Sequence, residues 1–140
     1  MIRQSRISDK EALLKLWKEG YGDTPFSEME YDRLHVHRWF AICCEFQDHF
    51  FSRVVEKDGE VVGILMGVVD KNFWGKPTGQ TLVSYSRHDS DKLIRQFIRW
   101  CKERGAEQVT ITTATGKDRY KQLVEAFGFE ETGRLYTKEI

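Results

Sequence analysis

Two different periods of apolar residues meet in the middle of the chain. Thr81 to Ser86 alternates β-branched, aromatic and hydroxyl side chains, as a half-buried strand does. Leu93, Ile94, Phe97, Ile98 and Cys101 instead return at steps of three and four, which is one face of a helix. Val109 to Thr113 is β-branched again, so the stretch from Thr81 to Gly116 predicts strand, helix and strand in a βαβ-like unit. Asp89 or Ser90 is placed to cap the helix with a side-chain oxygen, and Gly105 supplies a left-handed stop. In such units a ligand favours the carboxyl end of the first strand, where the helix amides face an anion.

The flanking patterns extend this unit. Ile2 to Ser5 predicts an edge strand, and Ser8-Asp9-Lys10-Glu11 opens a helix as a capping box with Ser8 at the cap and Leu13, Leu14 and Trp17 as its core stripe. Gly20 to Pro25 breaks that helix. A second helix is expected from Ser27 or Glu28 to about Phe46, with Tyr31, Leu34, Trp39, Phe40 and Cys43 at uneven spacing. The spacing favours core packing, and the competing reading sets Phe26, Glu28, Glu30 and Tyr31 on the side of a bound substrate, where the carboxylates would receive a cationic group. Phe50 to Lys57 and Glu60 to Asp70 predict a hairpin turning at Asp58-Gly59. The first of these strands alternates, so one face should be wet. The second is nearly continuously apolar from Val61 to Val69 and should lie centrally in the sheet.

Lys71 to Gly79 is a loop carrying Phe73 and Trp74, which either fold down as a plug or face a partner. Thr115 to Asp118 starts a last helix with Tyr120, Leu123, Val124 and Phe127 on one face and Gly128 as its stop. Phe129 and Thr132 to Lys138 are expected to close the sheet. No repeat or linker interrupts the pattern, and 140 residues suffice for one core, so residues 1–140 are expected to form a single domain.

Composition narrows the function. Twenty-two basic residues balance twenty-two acidic ones, so no global field recruits nucleic acid or an acidic membrane. The longest apolar run is too short to span a bilayer, and the amino-terminal residues lack a signal-peptide core, which together predict a cytoplasmic protein. Cys43, Cys44 and Cys101 fit buried reduced thiols, and neither they nor His35 and His37 have metal-ligand spacing.

WCKERGAEQVTITTATG, then a helix ending LVEAFGF and a closing ETGRLYTKE, resembles the GCN5-related N-acetyltransferase (GNAT) superfamily. The hairpin EKDGEVVGILMG and the loop KNFWGKPTGQ look closest to acetyltransferase-like proteins of bacteriophages. The resemblance implies an α/β (α+β) fold with a mixed, mostly antiparallel sheet and helices on both faces. It also implies acetyl-CoA as acyl donor, carried by Leu82, Val83 and Ser84 of the strand and by Arg87, Ser90 and Lys92 of a pyrophosphate loop. That loop departs from the family's R-x-x-G-x-G/A, because Ser90 and Lys92 stand where glycines are usual. The family's proton-donating tyrosine falls on Val124, which leaves Tyr120, Tyr85 and His88 as candidate acids, each with a plainer role in packing or in a solvated loop.

Two classes of function follow from the resemblance. One is acetyl transfer to an amine of a small molecule or protein. The other is a non-catalytic binding or structural role, in a phage particle or as a homo-oligomer.

Overall fold

The apolar run of Val61 to Val69 demands cover on both faces, and in the computed structural model it forms the middle of a five-stranded sheet. Residues 1–21, 31–112, 118–133, 136–138 and 140 are described. The strands are β1 (Ile2–Gln4), β2 (Phe50–Lys57), β3 (Glu60–Lys71), β4 (Pro77–Ser86) and β5 (Gln108–Thr110), and they lie in that spatial order. All neighbours are antiparallel except β4 and β5, which the crossover helix makes parallel. The helices are α1 (Lys10–Tyr21), α2 (Arg33–Glu45), α3 (Ser90–Glu103) and α4 (Asp118–Ala126). This is the mixed, mostly antiparallel α/β architecture expected from the sequence. No helix among the described residues is long and apolar enough to cross a membrane.

Consecutive strand residues divide between two cores, because side chains alternate across the pleat. Phe51, Val55, Val62 and Leu65 pack with Leu93, Ile94, Phe97 and Trp100 of α3, and Leu123, Val124 and Phe127 of the last helix join them. Val54, Ile64 and Met66 face the other way, onto Leu13 and Leu16 of α1 and Phe40 and Cys43 of α2. Each of these side chains stabilises the fold by roughly 1.5–3 kcal/mol on burial. The sheet is therefore held from both faces.

Double cover corrects the expectation that β2 has a wet face. Phe51, Ser52, Val54 and Val55 are all buried, and Ser52 is satisfied by the hydroxyl of buried Ser5. The Asp58-Gly59 turn is as expected, with φ of 53° and 76° at its two residues, the pair of positive angles that a two-residue hairpin needs.

Several boundaries differ from the expectation. Ser8 is exposed and does not cap α1. Its neighbour Asp9 accepts from the Arg6 amide at 2.8 Å and holds the Arg3 guanidinium through two contacts of 2.9 Å. Leu16 joins Leu13 and Leu14 as the buried stripe of α1, while Trp17 is only half-buried. The second helix starts at Arg33, since Asp32 accepts from the His35 amide at 3.0 Å and fixes the start there. Tyr31 precedes it, and Phe26, Ser27, Glu28 and Glu30 lie outside the described residues. Of its expected apolar residues only Phe40 and Cys43, three apart, are buried, whereas Leu34 and Trp39 are exposed.

The strand after the Phe73-Trp74 loop begins already at Pro77, and its partner across the crossover ends at Thr110. Thr113 and the start of the last helix at Thr115 to Lys117 lie outside the described residues. The described residues of the expected closing strand are in no ladder, and Tyr136 is 85% exposed.

Candidate functional site

Strand β4 changes partner along its length. Thr78, Gly79 and Gln80 pair with Gln108, Val109 and Thr110 of β5, and there the ladder stops. The last link is the Thr112 amide, which donates to Thr81 Oγ1 at 3.2 Å. Beyond it, the β5-facing edge of residues 82–86 has no ladder partner among the described residues, and of its groups the Ser86 carbonyl accepts from the Ser90 hydroxyl at 3.2 Å.

The β3 side of the same strand is irregular at the same height. Met66 pairs with Val83 and Gly67 with Thr81, so Leu82 is an extra, bulged residue. It is 47% exposed. A bulge sharpens local twist and turns β4 away from the straight ladder, which opens the splay.

Alternation then places the candidate side chains on opposite faces of this slot. Ser84 meets the last helix, where its hydroxyl lies 2.9 Å from the Tyr120 hydroxyl. Burial pushes the Tyr120 phenol above its ordinary pKa, with the Ser84 contact pulling the other way. Tyr120 therefore stays protonated at neutral pH. Val83 and Tyr85 face α1 and α2 instead. The Tyr85 hydroxyl donates to Glu19 Oε2 at 3.0 Å, and burial together with that carboxylate raises its pKa as well.

Tyr85 reaches Glu19 because Gly20 lets its ring pass. A Cβ at Gly20 would stand 2.7 Å from Tyr85 Cδ2 and Cγ. The sequence marks Gly20 as a helix breaker, yet α1 continues through Tyr21, so the glycine is a notch in a continuous helix. Glu19 went unread in the sequence. Its only signal is its place beside that glycine.

The loop after β4 is compact. The Arg87 amide donates to Val62 O at 3.1 Å, and the Ser86 hydroxyl bonds the His88 carbonyl while accepting from the His88 amide. His88 is exposed and Arg87 is drawn to the α1 side, 3.4 Å from Glu19 and 3.3 Å from Glu60. Asp89 occupies the cap position of α3 but does not cap it. Its backbone is left-handed, φ 56° and ψ 29°, rather than the extended form of a capping residue, and its carboxylate pairs with Lys92 Nζ at 3.4 Å. Ser90 does not cap either, because its hydroxyl donates to Ser86 O at 3.2 Å. The first-turn amides of α3 thus receive no side-chain cap.

The structure therefore brings Ser84 and Tyr120 together on the α4 side of the slot and ties Ser90 to the end of β4, and it leaves Leu82 and Lys92 exposed. It takes Val83, Tyr85 and Arg87 to the α1 side. Val124, where the family tyrosine would stand, packs against the apolar core. Among the described residues no three His, Cys, Asp or Glu side chains gather as a metal site.

No family model matches the chain, and no curated protein matches its sequence. Solved structures do match its shape. A ribosomal-protein-alanine N-acetyltransferase from Brucella melitensis superposes with a TM-score of 0.76 at 23% identity, over 95% of this chain and 86% of that one. A glucosamine-6-phosphate N-acetyltransferase from Arabidopsis thaliana gives 0.70 at 20% identity, over 99% and 97%. An aminoglycoside N-acetyltransferase solved with CoA gives 0.71 at 19% identity, over 100% and 98%. The fold is that of the GNAT acetyltransferases. These structures lend no support to the phage resemblance.

Proposed function

We propose that the chain is a GNAT-fold N-acetyltransferase that moves an acetyl group from acetyl-CoA to an amine, with the splayed half of β4 as the seat of the thioester. The observation that carries this reading is the slot at Leu82–Ser86, an unpaired strand edge with a protonated phenol on one face and a carboxylate on the other. The CoA-bound neighbour supports the choice of carrier. The uncapped amides at the start of α3 fit a phosphate group by their direction and partial charge.

Acetyl-CoA supplies an acyl thioester, whose C–S bond breaks as the amine nitrogen forms its C–N bond. Tyr120 holds the proton that the departing sulfur takes, and Ser84 fixes the phenol's orientation. On the α1 side Glu19 attracts the cationic amine and accepts the proton that it sheds. Leu82 to Ser84 orient the acyl group through the main chain. Arg87 acts from a distance, since Glu19 and Glu60 already hold it.

The pyrophosphate loop is weakened rather than absent. Lys92 offers a cation, but Asp89 and Asp91 put two carboxylates beside the helix start. Each opposes a phosphate about 4 Å away by ~1 kcal/mol in water and ~4 at an effective dielectric of twenty. The acidic loop also favours the second reading, in which the same fold only binds a partner, as in a phage particle.

Calorimetric titration with acetyl-CoA separates these readings. Weak saturable binding that tightens about tenfold in an Asp89→Gly, Asp91→Gly double variant is the result expected for a weakened cradle. Micromolar binding by the wild type removes the argument from the loop charges. No binding by either protein removes the acetyltransferase reading.

A further inference from the structure

Over β2, toward the opposite edge of the sheet from the splay, α3 and β2 enclose a second polar site. Gln96, Arg99, Trp100 and Glu103 recur at helical spacing along one face of α3, and Arg53 rises to meet them from β2. Together they line a hollow of about 300 Å³. A neighbouring hollow of about 180 Å³ shares Arg53, Trp100 and Glu103 and adds Arg104, Asp48 and Gln4 among others.

Two of the three guanidinium groups here are held by contacts, Arg99 is exposed, and none of the three is in an ion pair among the described residues. Arg53 donates to Gln96 Oε1 and stands 4.9 Å from the centre of the Phe51 ring. Arg104 lies 4.0 Å over the Trp100 ring and donates to the Asp48 carbonyl at 2.9 Å. Arg53, Arg99 and Arg104 take part in none of the ion pairs found among the described residues. Three cations therefore face two carboxylates, Glu103 and Asp48, both at the exposed rim.

Partial burial of Arg53 lowers its guanidinium pKa, Glu103 raises it and nearby Arg104 lowers it again. A half-buried cation held by an amide oxygen and a ring, beside two more cations, is poorly compensated until an anion arrives. Guanidinium forks match the paired oxygens of phosphate and carboxylate.

We propose that this hollow binds a small oxyanion, the phosphate or carboxylate group of a metabolite, on Arg53 and Arg99 with Arg104 at its edge. The site does not depend on acetyl transfer, because β3 lies between its own strand, β2, and the splayed part of β4.

The test follows the arginine Nε–Hε resonances by NMR during titration with inorganic phosphate and, separately, with succinate. Saturable shifts confined to Arg53, Arg99 and Arg104 are expected with at least one anion, and the tighter of the two identifies the ligand's acidic group. Affinity should fall about tenfold or more in Arg53→Gln, as for loss of a charge-assisted bond. Exposed Arg99→Gln should fall similarly, and it keeps the test decisive if Arg53→Gln does not fold. Arg95→Gln, whose guanidinium lies 5.8 Å over the Phe127 ring instead, should bind like the wild type. Shifts that sodium chloride reproduces at equal ionic strength, or equal affinity in Arg99→Gln and Arg95→Gln, would overturn the proposal.

Discussion

The two halves of β4 belong to one strand and have opposite characters. From Thr78 to Gln80 it is paired on both edges, Thr78 is 2% exposed, and Gly79 admits the Cys101 sulfur into the space a side chain would fill. From Leu82 to Ser86 one edge has no ladder partner among the described residues and the side chains are half-buried or exposed. The first half should therefore govern stability with little effect on chemistry, and the second the reverse. A single bulged residue, Leu82, marks the change of regime.

The largest effect is expected from overfilling the paired half. In Gly79→Val the new Cβ would stand 2.4 Å from Cys101 Sγ, 3.3 Å from Cys101 Cβ and 3.4 Å from Val109 Cγ2, so denaturant unfolding should show a loss of about 3 kcal/mol. Acetyl-CoA-dependent turnover per folded molecule should stay unchanged. A drop in turnover with unaltered stability would erase the contrast.

Next is the reverse experiment in the splayed half. Tyr120→Phe should lower kcat about a hundredfold, equivalent to ~2.7 kcal/mol, while costing only about 1 kcal/mol of stability through the lost Ser84 contact. Equal kcat in the variant would transfer the acid role elsewhere or remove it.

A smaller signature comes from pH. Burial raises the Cys101 thiol from 9.0 to about 12 and, with Cys44 adding to it, the Cys43 thiol to about 11. Their folded pKa values are above the unfolded ones, so the stability they contribute is complete below pH 9 and is lost as the pH rises. At pH 10 each thiol should account for a loss of about 1 kcal/mol relative to neutrality, measurable by urea unfolding of the wild type against Cys101→Ala. The same burial should keep both thiols from rapid alkylation in the native protein. Fast native labelling of Cys101 would show that the paired half opens readily.

The smallest effect belongs to the tip that precedes β4. Phe73 and Trp74 are 90% and 85% exposed and touch each other edge to face at 4.8 Å, so they do not plug the core. The loop keeps its shape through Asn72, whose Oδ1 accepts from the Trp74 and Lys76 amides. Replacing both aromatics by serine should move thermal stability by no more than about 0.5 kcal/mol. A large loss would contradict the exposure of the two rings and restore them as a plug.

The parts legible in the sequence were those where one pattern had one physical solution. Val61 to Val69 allows only a covered strand, and Asp58-Gly59 only a tight turn. Leu93 to Cys101 likewise makes a single helix face. Other features depended on contacts between distant residues. Gly20 signals a break when read locally, and its use as a passage for Tyr85 appears only once α1 lies against β4. Asp89 has a capping residue's chemistry but a left-handed backbone, so its role reverses in the fold. Arg53 lies on the strand whose alternation predicts one wet face. Its hollow exists because α3 crosses β2. Within the candidate site, Tyr120 could be named from its helix face, whereas its Ser84 partner and the Glu19 partner of Tyr85 could not.

The first strand carries a consequence for the order of folding. Strands β2, β3 and β4 join through two short hairpins, but Ile2 pairs with Val55, and the Met1 amino group donates to Glu56 O at 2.8 Å. Closing that large loop costs chain entropy before any contact rewards it, so the hairpins should be native-like in the folding transition state and β1 should dock afterwards. During synthesis β1 leaves the ribosome before β2 and has no edge to join until β2 has emerged. A strand made before its partner is thus placed late, and its side chains should give φ-values near zero beside those of the β2–β3 turn.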